Sequence, residues 1–298
     1  MLSVPLLIEK IIRQSVLPNI EKNAVLRTLF HFSLTHSLIA RLAGKKLMKT
    51  FGNRLFFFGI GGAGLAGDVE KFLKEAKFPY AIGYGLTETS PLIAGANAEN
   101  SRFTATGTVI EGGEVKIDNP HAETGEGEIL YRGPNVMKGY YKDPEKTAEV
   151  LSEDGWFRTG DLGIFDKDNY LYIKGRAKTM MLGASGENIY PEALEAIINN
   201  FEFVEESIVF QDEGKIVALV HIDKEALAES FKQIKEGAKH ASDNIAEYTK
   251  DLLKKVNKQL NAFSKIAKLR HEEEPFEKTP KKTIKRYLYT KFKKKDSD

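Results

Sequence analysis

The stretch from Trp156 to Glu192 constrains the fold more than any other, because it combines a hairpin, a polar joint and a helix start. The apolar run Leu162–Phe165 and the strand formers Tyr170–Ile173 flank a polar turn, which predicts two antiparallel strands. Gly183 and Gly186 then allow backbone conformations that other residues resist. Pro191 begins a segment whose apolar residues have helical spacing. This pattern predicts two folded parts separated by a polar joint.

The composition is that of a globular protein large enough for about two domains. The 298 residues include 44 basic and 42 acidic side chains, so the net charge of +2 gives no reason to expect a nucleic-acid partner. There are no cysteines, which excludes disulfides and thiolate metal sites and fits a cytoplasmic location. No uncharged stretch approaches the roughly 20 residues that cross a bilayer, so we expect no transmembrane helix.

The first part of the chain predicts helices followed by a βα unit. Apolar residues at three- and four-residue spacing indicate helices over residues 4–50, and no strand-forming sequence precedes them. The strand Leu55–Phe58, a glycine-rich turn and the helix Asp68–Ala76 follow. The glycines can be fitted to a dinucleotide-binding spacing, but no acidic residue ends a second strand about twenty residues later. The dinucleotide interpretation is therefore poorly supported.

The later segments predict two further folded regions. Alternating apolar and polar residues around glycines indicate a β-rich region from Thr106–Ile117 and Glu126–Arg132. Val204–Phe210 and Ile216–Ile222 predict a strand pair beyond the joint. Apolar residues at helical spacing over Asn244–Phe263 predict a helix that packs into the core of this last region.

Two clusters of polar residues carry groups that can bind a ligand. Thr87 and Thr89 place hydroxyls around the carboxylate of Glu88, and such groups bind phosphate and Mg²⁺ respectively, although the same pattern is typical of a helix cap. Side chains at strand ends and in loops can converge on a ligand, although each one alone is more typical of a turn or a solvated edge. The second cluster has this character and comprises Thr159, Asp161, Arg176 and Lys178.

The first cluster resembles a known motif. The segment Tyr84–Thr89 resembles the YGxTE motif of the adenylate-forming enzymes, a superfamily that includes acyl-CoA synthetases, luciferases and the adenylation domains of peptide synthetases. Four other segments are similar to motifs of the same superfamily in the same order: Gly61–Leu65, Thr159–Asp161, Gly175–Lys178 and Gly186–Pro191. The resemblance covers the chain from about residue 50 onward.

The resemblance implies a multi-domain α/β protein that is part of an ATP-dependent carboxylate–CoA ligase, most similar to the long-chain fatty acid–CoA ligases. It implies a partial nucleotide-binding subdomain over residues 1–105, a β-rich subdomain over 106–177, and a mobile α+β lid over 178–298. ATP or AMP, Mg²⁺, CoA and a fatty acid are the implied ligands. Peripheral membrane contact and a homodimer are further expectations. Acyl-chain specificity is not predicted.

The resemblance also implies a role for individual residues. The adenine-binding loop contains Gly62, Ala63 and Gly64, while Tyr84 and Gly85 lie beside the base. Thr87 contacts the α-phosphate, Glu88 holds Mg²⁺, Asp161 binds the ribose hydroxyls, and Arg176 binds the ribose or phosphate edge. Lys178 is the hinge on which the lid turns. The loop that enters the site during thioester formation contains Gly183, Gly186, Glu187 and Asn188.

Two departures from the family pattern lead to different expectations. The phosphate-gripping loop rich in Ser, Thr and Gly has no counterpart here, so we expect the carboxy-terminal half of a longer enzyme. The position of the lid's catalytic lysine is occupied by Thr283, and the adjacent Lys282 is the first candidate to replace it. One alternative is therefore an inactive AMP-binding fragment, and another is a peptide-synthetase adenylation domain. The basic, aromatic tail Lys278–Lys295 could contact CoA phosphates or anionic lipid.

Overall fold

The protein has the mixed α/β architecture that was predicted, and it divides into two units, Met1–Lys174 and Gly175–Asp298. The computed structural model describes residues 1–183, 186–234, 241–279 and 283–289. The narrower boundaries 1–105, 106–177 and 178–298 stay predictions. No helix in the described ranges has the length and apolarity needed to cross a membrane.

Unit 1 begins with a group of helices, as the apolar spacing indicated. The isoleucines Ile8, Ile12 and Ile20 are fully or almost fully buried between them and the adjoining sheet. The expectation that no strand precedes the helices was wrong, because Leu2 and Ser3 pair in parallel with Gly59 and Ile60. Two residues are too few to show a strand pattern. The elements are β1 (Leu2–Ser3), α1 (Pro5–Ile11), a π-helical turn (Ile12–Val16), α2 (Leu17–Glu21), α3 (Ala24–His31) and α4 (Ser33–Thr50).

The βα unit follows, but its strand starts three residues later than predicted. Phe56 is 89% exposed, whereas Phe58 is completely buried, so the chain enters the sheet only at Phe58. The first three strands of this five-stranded sheet pair in parallel, whereas the fourth strand pairs antiparallel with both the third and the fifth. The elements are β2 (Phe58–Ile60), α5 (Gly67–Glu75), β3 (Tyr80–Tyr84), a 3₁₀ turn (Thr87–Thr89), β4 (Ala94–Gly95) and β5 (Thr108–Val109).

The rest of unit 1 contains the predicted β-rich region, with four strands in the order β6-β7-β8-β9. The polar turn between β8 and β9 forms as its sequence indicated: Asp166 Oδ1 accepts hydrogen bonds from the backbone N–H groups of Asp168 and Tyr170, both at 2.9 Å. The elements are β6 (Glu114–Asp118), β7 (Gly127–Arg132), α6 (Pro144–Val150), β8 (Phe157–Phe165) and β9 (Leu171–Arg176), whose last two residues belong to unit 2.

Unit 2 contains a three-stranded sheet in the order β12-β13-β14 with helices packed on it. The predicted helix is present, and its Leu252, Val256 and Leu260 are buried, but Phe263 is 45% exposed in the turn that follows. The core prediction is therefore wrong for Phe263. The elements are β10 (Met181–Leu182), β11 (Asn188–Ile189), α7 (Pro191–Ile198), β12 (Val204–Asp212), β13 (Lys215–Ile222), α8 (Lys224–Ile234), α9 (Ala241–Gln259), a 3₁₀ turn (Ala262–Ser264), β14 (Lys268–His271) and a 3₁₀ turn (Arg286–Leu288).

Candidate functional site

The candidate site in unit 1 begins where two neighbouring parallel strands end. Strands β2 and β3 are paired from Phe58 with Tyr80 to Ile60 with Ile82, so the loops that follow them leave the same edge of the sheet. Ligands of open α/β sheets bind at this edge, outside the carboxyl ends of the strands. The glycine loop follows β2, and the Tyr84–Glu88 segment follows β3.

The glycine loop leaves its backbone open to a ligand. Gly62, Ala63 and Gly64 are exposed, and a Cβ atom added at either glycine would meet no heavy atom within 4 Å. Gly62 has a φ of +87°, in the left-handed region that favours glycine. Gly61 fixes the base of the loop, because its added Cβ would lie 3.2 Å from the carbonyl oxygen of Gly83 in β3. The loop therefore lies against the end of β3.

The segment after β3 is held by close backbone contacts. A Cβ atom on Gly85 would lie 1.8 Å from the carbonyl oxygen of Pro91, so no side chain fits there. Thr89 caps the 3₁₀ turn: its Oγ1 accepts from Leu86 N at 3.1 Å and donates to Leu86 O at 3.0 Å. The cap and the ligand-binding hypotheses are compatible, because Thr89 is buried in the turn while Thr87 is exposed.

Two predicted site residues from distant segments are brought into direct contact. The Tyr84 hydroxyl donates a hydrogen bond to Asp161 Oδ2 at 2.7 Å, joining β3 to β8 across 77 residues of sequence. Asp161 is 5% exposed, and its N–H donates to Thr159 Oγ1 at 3.1 Å. The Thr159 hydroxyl in turn donates to Ile129 O at 2.8 Å in β7. The Thr-Gly-Asp segment is thus built into the sheet rather than into a loose turn.

Glu88 is held by residues that the sequence analysis did not select. Its backbone carbonyl accepts from Met137 N at 2.7 Å, and its Oε1 accepts from the Tyr140 hydroxyl at 3.0 Å. Burial and the Glu88 carboxylate raise the pKa of Tyr140, which therefore stays a neutral donor. Asn135 also holds the turn, since its Nδ2 donates to Leu92 O at 2.8 Å. These contacts span more than forty residues, so no local pattern marks them.

The predicted Mg²⁺ site depends on which carboxylate and imidazole groups the described ranges bring together. No group of three or more His, Cys, Asp or Glu side chains within them is placed to hold an ion. Glu88 nevertheless fits Mg²⁺, which takes one or two protein carboxylates and completes its octahedron with water and substrate phosphates. The single Glu88 carboxylate, oriented by Tyr140, is compatible with that requirement.

The predicted hinge residues and the residues of the loop predicted to act in thioester formation lie in unit 2. Arg176 and Lys178 are exposed, and the Arg176 carbonyl accepts from Thr179 N at 3.2 Å, which makes a turn after β9. Gly183 N donates to Glu187 O at 2.8 Å, and Gly186 has a φ of +90°. Of the predicted loop residues, Gly183, Gly186 and Glu187 lie between β10 and β11, and Asn188 begins β11.

Thr283 pairs with a nearby segment of unit 2. Thr279 N donates to Thr283 O at 2.8 Å, and Lys278 forms an isolated antiparallel bridge with Ile284. Lys278 Nζ also lies 2.6 Å from Glu206 Oε1. Lys282 falls outside the described residues, so its assignment as the adenylation lysine stays a prediction.

Arg286 belongs to a charged cluster of unit 2. Its guanidinium contacts Glu195 Oε2, lies 3.6 Å from Glu192 Oε1 and donates to Val209 O at 3.3 Å. Glu192 Oε1 also accepts from the Thr179 hydroxyl at 2.8 Å, next to the predicted hinge. Burial raises the pKa of Glu195 to about 7 and outweighs the opposing effect of Arg286. Through Glu192, the cluster links Thr179, next to the predicted hinge, to Arg286.

The sequence is similar to those of known proteins. The sequence matches the AMP-binding enzyme family over residues 1–141 and the AMP-binding enzyme C-terminal domain over residues 178–295. It is 32% identical over 217 residues to the long-chain-fatty-acid–CoA ligase FadD15 of Mycobacterium bovis, with 72% of this chain covered. It is 34% identical to the peroxisomal long chain acyl-CoA synthetase 7 of Arabidopsis thaliana, with 63% covered. The matches span 34% and 28% of these relatives.

Solved structures agree with this assignment. The o-succinylbenzoate CoA synthetase of Bacillus subtilis in complex with AMP has a TM-score of 0.64 at 23% identity, which shows the fold, and the match covers 84% of this chain and 49% of that one. ATP-bound MatB of Rhodopseudomonas palustris has a TM-score of 0.60 at 25% identity, with coverage of 83% and 48%. The chain therefore belongs to the AMP-binding enzymes, the adenylate-forming superfamily.

Proposed function

We propose that this chain supplies the nucleotide-binding edge and the lid of an ATP-dependent carboxylate–CoA ligase that acts on long-chain fatty acids. The observation that carries the proposal is the hydrogen bond from Tyr84 to Asp161 beside the glycine loop. It places an aromatic ring and a carboxylate together at the carboxyl end of a parallel strand, where nucleotides bind. The names of the curated relatives support the fatty-acid substrate.

The proposed reaction has two steps. The acid's carboxylate oxygen attacks the α-phosphorus of ATP, which gives acyl-adenylate and pyrophosphate; the CoA thiol then attacks the acyl carbon and releases AMP and a proton. Carboxylate and triphosphate repel each other, so the site must hold them in line and compensate their charge. Mg²⁺ held by Glu88 would supply part of that compensation.

Each predicted residue has a role that its geometry permits. Asp161 accepts hydrogen bonds from the ribose hydroxyls, and the Tyr84 ring stacks on adenine with its hydroxyl anchored. The exposed Thr87 donates to the α-phosphate. Arg176 binds the ribose or phosphate edge, and Lys178 is the pivot of the lid. The loop that contains Gly183, Gly186, Glu187 and Asn188 enters the site for thioester formation.

Nucleotide binding tests the proposal directly. Adenine, ribose and α-phosphate contacts are proposed within this chain and β- and γ-phosphate contacts are not, so AMP should bind more tightly than ATP in calorimetry. Asp161→Ala should weaken AMP binding by about 1–3 kcal/mol, the cost of losing hydrogen bonds to a charged group. Asp166→Ala, in the β8–β9 turn, is the control and should leave AMP affinity unchanged. Clearly tighter ATP binding would contradict the proposal.

A second candidate, an AMP-binding protein without adenylation activity, is favoured by Thr283. Assayed together with a polypeptide that supplies the phosphate-gripping loop, Thr283→Lys should raise acid-dependent pyrophosphate release by a factor of about 10² to 10³. Thioester formation from a supplied acyl-adenylate should hardly change. If Thr283→Lys has no effect and Lys282→Ala abolishes pyrophosphate release, Lys282 is the working residue. A cytoplasmic location, a homodimer and peripheral membrane contact stay predictions.

A further inference from the structure

The predicted hinge segment is held on both sides by the start of one helix. Arg176, Ala177 and Lys178 are exposed, whereas the residues that flank them, Gly175 and Thr179, are half-buried. Both flanking residues contact the beginning of helix α7. The three exposed residues therefore form a short bridge between two points that are attached to the same helix.

Gly175 makes the first attachment by a close approach of its backbone. A Cβ atom added there would lie 2.6 Å from Tyr190 Cδ1 and 3.4 Å from Glu192 Oε2. Tyr190 is the residue that caps α7, and Glu192 lies in the first turn of that helix. The distance to Tyr190 is too short for a real Cβ atom, so the chain reaches α7 here because Gly175 has no side chain.

Thr179 makes the second attachment by a hydrogen bond. Its hydroxyl donates to Glu192 Oε1 at 2.8 Å, and the Arg286 guanidinium lies 3.6 Å from the same oxygen. The backbone N–H groups of Thr179 and Met180 both donate to Arg176 O, at 3.2 and 3.0 Å, which closes the turn that contains the exposed residues. A hydrogen bond to a charged oxygen is stronger than one between neutral groups, so this attachment is firm.

The two carboxylate oxygens of Glu192 differ in their surroundings. Oε1 has the Thr179 hydroxyl and the Arg286 guanidinium beside it, whereas Oε2 faces Gly175, is buried and accepts no hydrogen bond from the described residues. A buried acceptor without a donor lowers stability relative to the same acceptor in water. Moving Gly175 away from α7 would admit water to Oε2, so the contact at Gly175 is the weaker of the two attachments.

We propose that Glu192 is a positioning residue that latches the predicted hinge to α7, with Gly175 as the end that is released when the lid turns. Rotation about Lys178 would move Gly175 relative to α7, so the rotation requires Gly175 to leave Tyr190 and Glu192. The bond from Thr179 to Glu192 stays intact and keeps the segment after the pivot on the helix. Only the role of Lys178 as the pivot rests on the proposed function.

Hydrogen exchange of the whole chain, corrected for the intrinsic rate of each sequence, tests the latch. The amides of Thr179 and Met180 report on it, because both donate to Arg176 O. Thr179→Val removes the hydroxyl with little change in size and should speed their exchange about tenfold. Thr179→Ser keeps the hydroxyl and should restore the natural rate. Gly175→Ala, whose methyl group would collide with Tyr190, should also speed exchange by about tenfold or more.

Two further variants separate the latch from a general loosening of unit 2. Thr249→Val removes a hydroxyl that donates to Ile245 O at 2.9 Å within α9, and it should leave exchange at the hinge unchanged. In a Glu192→Ala protein, Thr179→Val should have no additional effect, because the acceptor of its hydroxyl is already gone. Circular dichroism checks folding, and the Thr179 and Gly175 variants decide alone should Glu192→Ala not fold.

Three results would overturn the proposal. One is unchanged exchange at the hinge in Thr179→Val, and another is a Thr179→Ser protein that behaves like Thr179→Val, which would mean that the hydroxyl has no part in the effect. The third is an equal acceleration throughout α9, which would mean that unit 2 is destabilised as a whole. Exchange is measured without nucleotide or CoA, so these results are separate from a failure of AMP binding, which would contradict the proposed function alone.

Discussion

Each unit contains a buried carboxylate that joins distant segments, and the two are partnered differently. Asp161 in unit 1 is 5% exposed and accepts from the neutral hydroxyl of Tyr84. The Glu195 side chain in unit 2 is 12% exposed and contacts the guanidinium of Arg286. A hydroxyl orients a carboxylate without adding positive charge, whereas a guanidinium adds charge and a fixed geometry. A carboxylate held by a hydroxyl, such as Asp161, is suited to accept hydrogen bonds from a ligand. A carboxylate paired with a guanidinium, such as Glu195, is suited to anchor one segment to another.

Removing the anchor should produce the largest effect. Arg286→Ala leaves the Glu195 carboxylate buried beside Glu192 without its cation, so the free energy of unfolding of unit 2 should fall by about 3 kcal/mol. Hydrogen exchange of peptides from α7 and β12 measures this locally at pH 8. The neighbouring Lys285→Ala breaks only the exposed pair with Glu277 and should cost less than about 1 kcal/mol. Equal losses of stability in the two variants would contradict the comparison, because the pair of Arg286 with Glu195 would then be no stronger than an exposed ion pair.

The pH dependence sharpens the same comparison. Burial raises the pKa of Glu195 from 4.5 to about 7, so the folded state binds more protons than the unfolded state between these values. The stability that this group contributes is present below about pH 4.5 and is lost as the pH rises through 7. Relative to Glu195→Gln, the natural protein should therefore lose about 2–3 kcal/mol in unit 2 between pH 4.5 and 8. Parallel stability curves for the two proteins would show that Glu195 does not titrate there.

Two tyrosines give the smallest and most specific test. Tyr84→Phe keeps the ring but no longer orients Asp161, so AMP affinity should fall by about 0.5–1.5 kcal/mol in calorimetry. Tyr140→Phe is the matched control, because its hydroxyl contacts Glu88 instead. It should leave AMP affinity unchanged and weaken only ATP binding in the presence of Mg²⁺. If both variants weaken AMP equally, the carboxylates do not have separate roles.

Local patterns predicted most of the fold. The β8–β9 hairpin follows from strand formers around an Asp-rich turn, and the β12–β13 pair follows from two apolar runs around Gly214. The helices α1–α4 follow from apolar spacing. Strand β1 was missed because its two residues gain their extended form from pairing with β2, which no local pattern encodes.

The candidate site was predicted as a set of residues but not as a set of contacts. Motif order selected Tyr84, Glu88 and Asp161, yet their partners depend on how loops fold back over the sheet. The Tyr140 contact with Glu88 spans 52 residues, and the Arg286 contact with Glu195 spans 91. Such pairs require the tertiary structure, since side chains so far apart in sequence meet only after the sheets have formed.

The contact between Gly85 and Pro91 makes one position intolerant of any change. The neighbouring carbonyl oxygen belongs to the backbone of Pro91, so substituting Pro91 would not remove it. Even the smallest side chain at position 85 would therefore push the loop away from the sheet. In a library covering every amino acid at each site, position 85 should therefore accept one residue. Gly64, with open space around it, should accept several in tests of folding alone. Substitutions at position 85 thus report on steric exclusion, whereas substitutions at position 64 that preserve folding can report on ligand recognition.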